Sequence, residues 1–348
     1  MDKFKRRRLI ALSTVIVLIL GLGLAAYANR SVFRAAIDQL QGNDFPGPGV
    51  SEVQFKVESG DNGEVISQRL FKAGIVKNAR TTYQYILDRN PTFYPGVFSL
   101  RKEMSSAEAV KILSNPDAAV LTRVTINEGW RASVIFSTLS KATGLKLSEF
   151  QALFEKPEVF GLDSKLLNIE GYLFPATYSF EPNLTAKEIL QIMVDRMQQE
   201  LVSLKVPTDR IHEVIILASV VEKEVRFPDD FYKAARVFQN RLDINMALQS
   251  DATVSYGVGG NTFTTSKADR SDKNRYNTYL YPGLPIGPIS SPGSRAIDAV
   301  MNPADGKWLY FVSVNLETGE TVFTETYEQH LKAVSQWLKW MRENPGYE

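Results

Sequence analysis

The sequence contains no cysteine and only two histidines, His212 and His330, among its 348 residues. The absence of cysteine excludes disulfides, thiolate zinc sites and a cysteine nucleophile. So few histidines disfavour a histidine-based catalytic triad, and we therefore expect any acid–base chemistry to use carboxylates. We predict no bound metal and no cofactor.

The chain also lacks a strong excess of either charge, with 40 basic and 39 acidic residues. A cluster of lysine and arginine lies before residue 9, so the remainder of the chain is slightly acidic. No basic stripe interleaved with aromatic residues indicates a nucleic-acid partner. The hydrophobic content of 44% is sufficient for one large or two ordinary domains with real cores.

An apolar run at residues 9–27 follows the basic cluster and is close to the length of one bilayer crossing. We predict a transmembrane helix at 9–28 and a cytoplasmic segment at 1–8, because positive residues stay inside. The body would then lie outside the cytoplasm, anchored by a single pass in the cytoplasmic membrane. A cleaved signal peptide is the alternative, although the run is long for one.

The rest of the chain divides by composition into a linker and two folded parts. Glycine and proline at 41–49 predict that residues 29–50 are a linker. Alternating apolar residues near 53–57 and capped helical patterns predict a small α+β module at 51–122. Residues 123–348 would form a larger domain. The predicted fold class is therefore α+β throughout.

Two long polar stretches, at 248–279 and 282–293, characterise the larger domain. Loops of this length are usually either functional or disordered. Their amides, hydroxyls and tyrosines suit a sugar-binding groove, where polar groups meet hydroxyls and rings stack on apolar sugar faces. We therefore expect a polar glycan groove in this part of the chain.

An apolar helical pattern beginning at Val214 ends in two carboxylates, Glu222 and Glu224. A glutamate against apolar neighbours loses hydration, so its pKa rises and it can hold a proton near neutral pH, as a general acid must. Residues two apart on a helix point about 200° from each other, so the two cannot act as a facing pair. Periodicity does not decide between them, and a solvated helix end is the structural alternative.

Six blocks of the sequence resemble the YceG-like family of membrane-anchored endolytic murein transglycosylases. The blocks are EGYLFPATY at 170–178, LASVVEKE at 217–224, FQNRL at 238–242, LQSD at 248–251, YNTY at 276–279 and GLPIGPISSPG at 283–293. The resemblance covers essentially the whole chain and implies an anchor, a LysM-like module at 51–122 and a catalytic domain at 123–348.

The resemblance implies that Glu222, the first glutamate of the Glu-Lys-Glu element, is the catalytic acid. It would protonate the bond between N-acetylmuramic acid and N-acetylglucosamine, and the muramic C6 hydroxyl would then attack C1 to leave a 1,6-anhydro end. The residues we expect to contact glycan all lie in the polar stretch at 248–279: Gln249, Asp251, Tyr256, Asn277 and Tyr279.

Peptidoglycan strands and the membrane are the implied partners, and peptidoglycan synthases with other elongation or division proteins are further candidates. Two other functions stay open. The first is a hydrolytic muramidase, which needs a second carboxylate, and Asp251 is the best candidate. The second is a wall-binding scaffold in which the LysM-like module binds glycan and the groove is inactive. By sequence, Glu128 and Arg241 are assigned structural roles, and His330 is assigned to solvent or core.

Overall fold

The computed structural model describes residues 30–260 and 265–346. Both the predicted cytoplasmic segment at 1–8 and the predicted transmembrane helix at 9–28 lie outside the described residues. Among the residues that are described, no helix combines the length and apolarity needed to cross a membrane. The chain separates into two compact units that divide between Leu121 and Thr122.

Within its described residues, from 30 to 121, the first unit contains four α-helices and one antiparallel pair of strands. Its elements are α1 (Arg30–Leu40), β1 (Glu52–Val57), α2 (Gly63–Lys72), α3 (Ala79–Arg89), β2 (Gly96–Arg101) and α4 (Ser106–Leu113). The β1–β2 register runs from Glu52 opposite Arg101 to Val57 opposite Gly96. The core is built from the buried faces of these elements, including Phe55, Leu70 and Phe98.

The stretch predicted as a linker is partly folded. Its first part is α1, and Asp44, in the glycine- and proline-rich part, is only 3% exposed. The Asp44 carboxylate accepts hydrogen bonds from the Ser106 backbone N–H at 3.0 Å and the Ser106 hydroxyl at 3.0 Å. A carboxylate at the start of a helix is stabilised by the orphan N–H groups there, which explains why this segment packs on α4.

The second unit contains eight helices and two further antiparallel strand pairs within the described residues. Its elements are β3 (Thr122–Thr125), α5 (Ala132–Thr143), α6 (Leu147–Gln151), β4 (Thr177–Phe180), α7 (Ala186–Ser203), α8 (Ile211–Glu224), α9 (Pro228–Asp243), α10 (Asp251–Gly257), α11 (Ser294–Met301), β5 (Tyr310–Asn315), β6 (Glu320–Thr324) and α12 (Tyr327–Glu343). The described chain is therefore mixed α+β, mostly helical with small two-stranded sheets.

Helix α8 forms the centre of this unit. Every residue from Val214 to Val221 is buried, which matches a helix that is apolar all round. It packs against α9 and α11 in one continuous core with Phe231, Phe238 and Ile297. Glu222 therefore directly follows two helical turns that are fully buried in this core.

Part of the long polar stretch after residue 248 is helical, contrary to its prediction as loop. Helix α10 begins at Asp251, and its Thr253, Val254 and Ser255 are buried. Seven residues are too few for periodicity to distinguish a helix from a loop, and tertiary burial stabilises this one. Strands β5 and β6 pair as an antiparallel hairpin, with Phe311 opposite Phe323.

Candidate active site

Glu222 lies in the last turn of α8, where the helix emerges from the core, and its side chain is partly exposed. One of its carboxyl oxygens accepts a hydrogen bond from the Gly293 backbone N–H at 3.0 Å. Gly293 ends the GLPIGPISSPG block and immediately precedes α11. Two blocks separated by about 70 residues in sequence thus meet at one carboxyl group.

Ser219, one turn earlier on α8, holds the GLPIGPISSPG loop in place. Its hydroxyl accepts from the Ile289 N–H at 3.0 Å, and its carbonyl accepts from the Ser290 hydroxyl at 3.1 Å. All three residues are almost completely buried. Buried polar groups that satisfy one another fix a unique arrangement, so the loop is set rigidly against the helix that carries Glu222.

The turn at 127–130 closes the other side of Glu222. The Gly129 N–H donates to the Ser291 carbonyl at 2.8 Å, and the Ser291 N–H donates to the Trp130 carbonyl at 2.8 Å. A Cβ placed on Gly129 would lie 3.5 Å from Cγ of Glu222 and 3.5 Å from Cδ of Lys223. The turn therefore lies directly against the last turn of α8.

Burial raises the pKa of Glu222 to about 7. The Gly293 N–H opposes this shift by stabilising the carboxylate, the nearby Glu128 carboxylate adds to it, and the cations of Lys223 and Arg295 oppose it. The side chain is thus balanced between its acid and its carboxylate near neutral pH. A group that first donates and later accepts a proton needs this balance.

Glu224 has a different environment from Glu222. Its carboxyl accepts from the Ser250 hydroxyl at 2.5 Å, and burial raises its pKa, with the Asp251 carboxylate adding to the shift and the Arg241 cation opposing it. The two glutamates thus contact different neighbours, as the helix geometry predicts. Arg241, assigned a structural role from the sequence, donates to the Leu309 and Leu248 carbonyls at 2.7 and 2.6 Å.

A cavity of about 340 Å³, here called the first cavity, lies beside this helix end. Its walls include Trp130, Arg131, Lys223, Glu224, Gln249 and Asp251. Glu222 is not a wall residue, but Gly129 is, and a Cβ placed on Gly129 would lie 3.5 Å from Cγ of Glu222. Two of the predicted glycan-binding residues, Gln249 and Asp251, therefore face a cavity next to the predicted acid. Within the described residues, no cluster of acidic or histidine side chains could hold a metal ion.

Asp251 and Tyr279 contact each other, as two residues of one groove would. The Tyr279 hydroxyl donates to Oδ1 of Asp251 at 3.1 Å, and the Thr265 hydroxyl donates to the same oxygen. The Arg270 guanidinium lies 3.9 Å from that oxygen and over the Tyr279 ring. Burial and the Asp251 carboxylate raise the pKa of Tyr279 to about 12, so it remains a hydroxyl donor at any physiological pH.

Asn277 is fully buried and shapes its loop. Its side-chain amide donates to the Arg270 and Asp272 carbonyls at 3.0 and 2.7 Å, and its oxygen accepts from the Tyr279 N–H at 3.0 Å. These bonds satisfy the amide and hold Tyr279 in position. Its predicted glycan contact stays a prediction, and its observed contacts are those of a residue that orders the loop.

Sequence reasoning missed Glu170, a buried glutamate. It is 2% exposed and accepts from the Ala132 N–H at 2.9 Å and from the Tyr256 hydroxyl at 3.1 Å. The Arg131 guanidinium, a wall of the first cavity, lies 5.0 Å over the Tyr256 ring. Tyr256, predicted to bind glycan, thus directs its hydroxyl to Glu170 and its ring to Arg131. The only sequence signal was a glutamate opening an apolar block.

Burial raises the pKa of Glu170 to about 7, and its hydrogen bonds and Arg131 oppose the shift. In the unfolded chain this carboxyl has the ordinary pKa of 4.5, so it loses its proton at a lower pH than it does in the folded protein. This contribution to stability is complete below pH 4.5 and is lost as the pH rises through about 7. We predict that Glu170→Gln, which stays neutral, melts above the wild type at pH 8 by a margin that narrows at pH 5.

Thermal melts of both proteins at the two pH values measure this difference. The exposed Glu158→Gln is the matched control and should track the wild type at both. A Glu170→Gln difference that is identical at pH 5 and pH 8 would contradict the assignment of this proton to Glu170.

Comparison with known proteins gives consistent matches. The model of the YceG-like family matches residues 55–336. An endolytic murein transglycosylase of Bacillus subtilis is 28% identical over 309 residues, which are 82% of this chain and 85% of that protein. An endolytic murein transglycosylase of Streptococcus pneumoniae is 28% identical over 317 residues, which are 80% of this chain and 57% of that protein. The crystal structure of a YceG-like protein from Listeria monocytogenes matches with a TM-score of 0.55 and 28% identity, covering 81% of this chain and 99% of that one.

Proposed function

The chain belongs to the YceG-like family, and we propose that it is an endolytic murein lytic transglycosylase with Glu222 as its only acid–base residue. The relatives named endolytic murein transglycosylase support the reaction class. The observation that supports the residue is a carboxyl group whose pKa is raised to about 7, held at a rigid helix end by a backbone N–H.

The proposed reaction needs one residue in two roles. Glu222, protonated, donates its proton to the oxygen that links N-acetylmuramic acid to N-acetylglucosamine, and the bond from C1 to that oxygen breaks. The muramic C6 hydroxyl forms a bond to C1, and the Glu222 carboxylate takes the hydroxyl proton. No water is consumed, and the product ends in 1,6-anhydromuramic acid. The Gly293 N–H stabilises the carboxylate between the two proton transfers.

A hydrolytic muramidase is the less favoured alternative. Such an enzyme uses a second carboxylate to activate water or to form a covalent intermediate. Asp251, the best candidate from the sequence, has one oxygen bonded to Tyr279 and Thr265 and faces Arg270. Those contacts suit a carboxylate that organises the groove, and they leave the single-carboxylate mechanism as the better fit.

Mass analysis of the products of purified murein tests the proposal. The full-length protein in detergent should release muropeptides with anhydro ends, each one water lighter than the hydrolytic product. Reducing ends of full mass would establish a muramidase. Intact strands that nonetheless bind the protein would support the wall-binding scaffold.

We also propose that residues 9–28 anchor the protein in the cytoplasmic membrane, with both described units outside the cytoplasm. The basic cluster at 1–8 supports this orientation, because positive residues stay on the cytoplasmic side. The 51–122 module would bind or position glycan, and synthases that elongate the strands are the proposed protein partners. Protease added to intact spheroplasts should digest the body, and full protection would refute the orientation.

A further inference from the structure

A second cavity, of about 420 Å³, lies between α9, the LQSD block, strand β5 and α12. Three large aromatic residues, Tyr310, Tyr327 and Trp337, contribute to its walls. The ring of Tyr327 is 59% exposed and packs 5.7 Å from the ring of Tyr310. Part of the Tyr327 side chain is therefore accessible to a molecule that enters the cavity.

The second cavity adjoins the first. Glu224, Gln249 and Asp251 contribute to the walls of both. The LQSD block therefore separates two openings in one groove, one near Glu222 and one flanked by the aromatic residues. Gln249, which lies between the two cavities, is exposed and has a left-handed backbone conformation with φ 50°.

His330 adds a polar group to the aromatic wall. Its ring stacks on Tyr310 at 5.2 Å, and among the described residues its Nδ1 is buried without a hydrogen-bond partner. Burial and the nearby Arg241 cation lower the pKa of this imidazole, so the ring is neutral near pH 7. Because Nδ1 is enclosed by protein, His330 contributes to the wall of the second cavity through its neutral ring and not through this nitrogen.

We propose that the second cavity is a glycan subsite away from the scission point, where one amino sugar of the strand stacks on Tyr327 and Trp337 and its hydroxyls meet Gln249 and Asp251. Aromatic faces with a few polar groups suit the apolar face and hydroxyls of a sugar ring. This inference rests on the proposed function. The second cavity would then favour long substrates, because only a strand long enough to span both cavities reaches it.

The test compares long uncrosslinked glycan strands with a tetrasaccharide of the same disaccharide unit, using the full-length protein in detergent. Tyr327→Ala and Trp337→Ala should each raise KM for long strands about tenfold, equivalent to about 1.4 kcal/mol. Their kcat/KM for the tetrasaccharide should stay within about twofold of the wild type, since each aromatic lies away from the reacting bond. Tyr327→Trp, which keeps an aromatic face, should restore the long-strand KM.

Leu331→Ala is the matched control, because Leu331 is 46% exposed on the same helix and is not a wall of the cavity. It should leave both substrates unaffected. Equal losses on long and short substrates, or no change on either, would overturn the subsite.

Binding separates a failure of this inference from a failure of the proposed reaction. Calorimetric affinity of Glu222→Gln for long strands should fall about tenfold when Tyr327→Ala is added. If the wild type releases no anhydro product yet this affinity falls, the reaction is refuted and the subsite stands. If the product forms and the affinity does not change, the subsite is refuted and the reaction stands.

Discussion

Replacement of Glu222 by glutamine is expected to lower the release of anhydromuropeptides about 10³–10⁴-fold with little change in the melting temperature. General acid–base catalysis is typically worth about 10²–10⁴-fold, and one residue filling both roles places the loss at the upper end. Glutamine keeps the shape of the side chain and accepts the Gly293 N–H, but it carries no transferable proton. Loss of a partly buried acid does not by itself destabilise the helix end.

The dependence of activity on pH is a second test of the role of Glu222. Because Glu222 must begin the cycle protonated and its pKa is about 7, kcat/KM should fall as the pH rises through that value. The residual activity of Glu222→Gln should lack this fall. Purified variants assayed for anhydro ends between pH 5 and pH 9 provide the measurement.

Glu224→Gln is the internal control, two residues away on the same helix. Its carboxyl accepts a hydrogen bond from Ser250, and its pKa is also raised. A raised pKa alone therefore does not identify which of the two glutamates is the catalytic acid. Glutamine can still accept from the Ser250 hydroxyl, and we expect a far smaller loss. Comparable losses at both positions, or an active Glu222→Gln, would refute the assignment.

The helix that carries the candidate acid could be predicted from local pattern. Its apolar run and terminal carboxylates are contiguous in sequence, and the structure buries every residue from Val214 to Val221. The partner of Glu222 could not be predicted in this way. Gly293 approaches because Ser219 anchors the loop before it, and a contact across 71 residues leaves no trace in local periodicity.

Residue type indicated which stretch of the chain lines the cavities, but it did not indicate the direction of individual side chains. Gln249 and Asp251 do face the first cavity, whereas Asn277 bonds to its own loop and Tyr256 bonds to Glu170. A tyrosine or asparagine in a polar block is compatible with both roles, and only the backbone path decides between them. Glu170 was missed for the same reason. The groups that donate to its carboxylate, the backbone N–H at the start of α5 and the Tyr256 hydroxyl, are distant from it in sequence.

Gly171→Ala is expected to destabilise the second unit by about 3 kcal/mol and to reduce activity with it. Gly171 has φ +81°, a conformation that costs an L side chain about 1–2 kcal/mol. A Cβ there would also lie 2.5 Å from Cβ of Pro288 and 2.9 Å from Cγ2 of Ile215. Both neighbours are fixed, one in the GLPIGPISSPG loop and one on α8, so relief requires the loop to move. Overpacking of this kind adds about 1–3 kcal/mol.

Gly161→Ala separates strain from overpacking. Gly161 has φ +71° in the same unit, but nothing lies within 4 Å of its added Cβ. It should therefore bear only the conformational cost of about 1–2 kcal/mol. At about 2–4 °C per kcal/mol for a unit of this size, Gly171→Ala should melt several degrees below Gly161→Ala.

Activity should fall only in Gly171→Ala, because moving Pro288 displaces the loop that ends at Gly293 and with it the N–H that donates to Glu222. Equal melting temperatures, or a fully active Gly171→Ala, would show that the loop is not held as tightly against α8 as its contacts indicate.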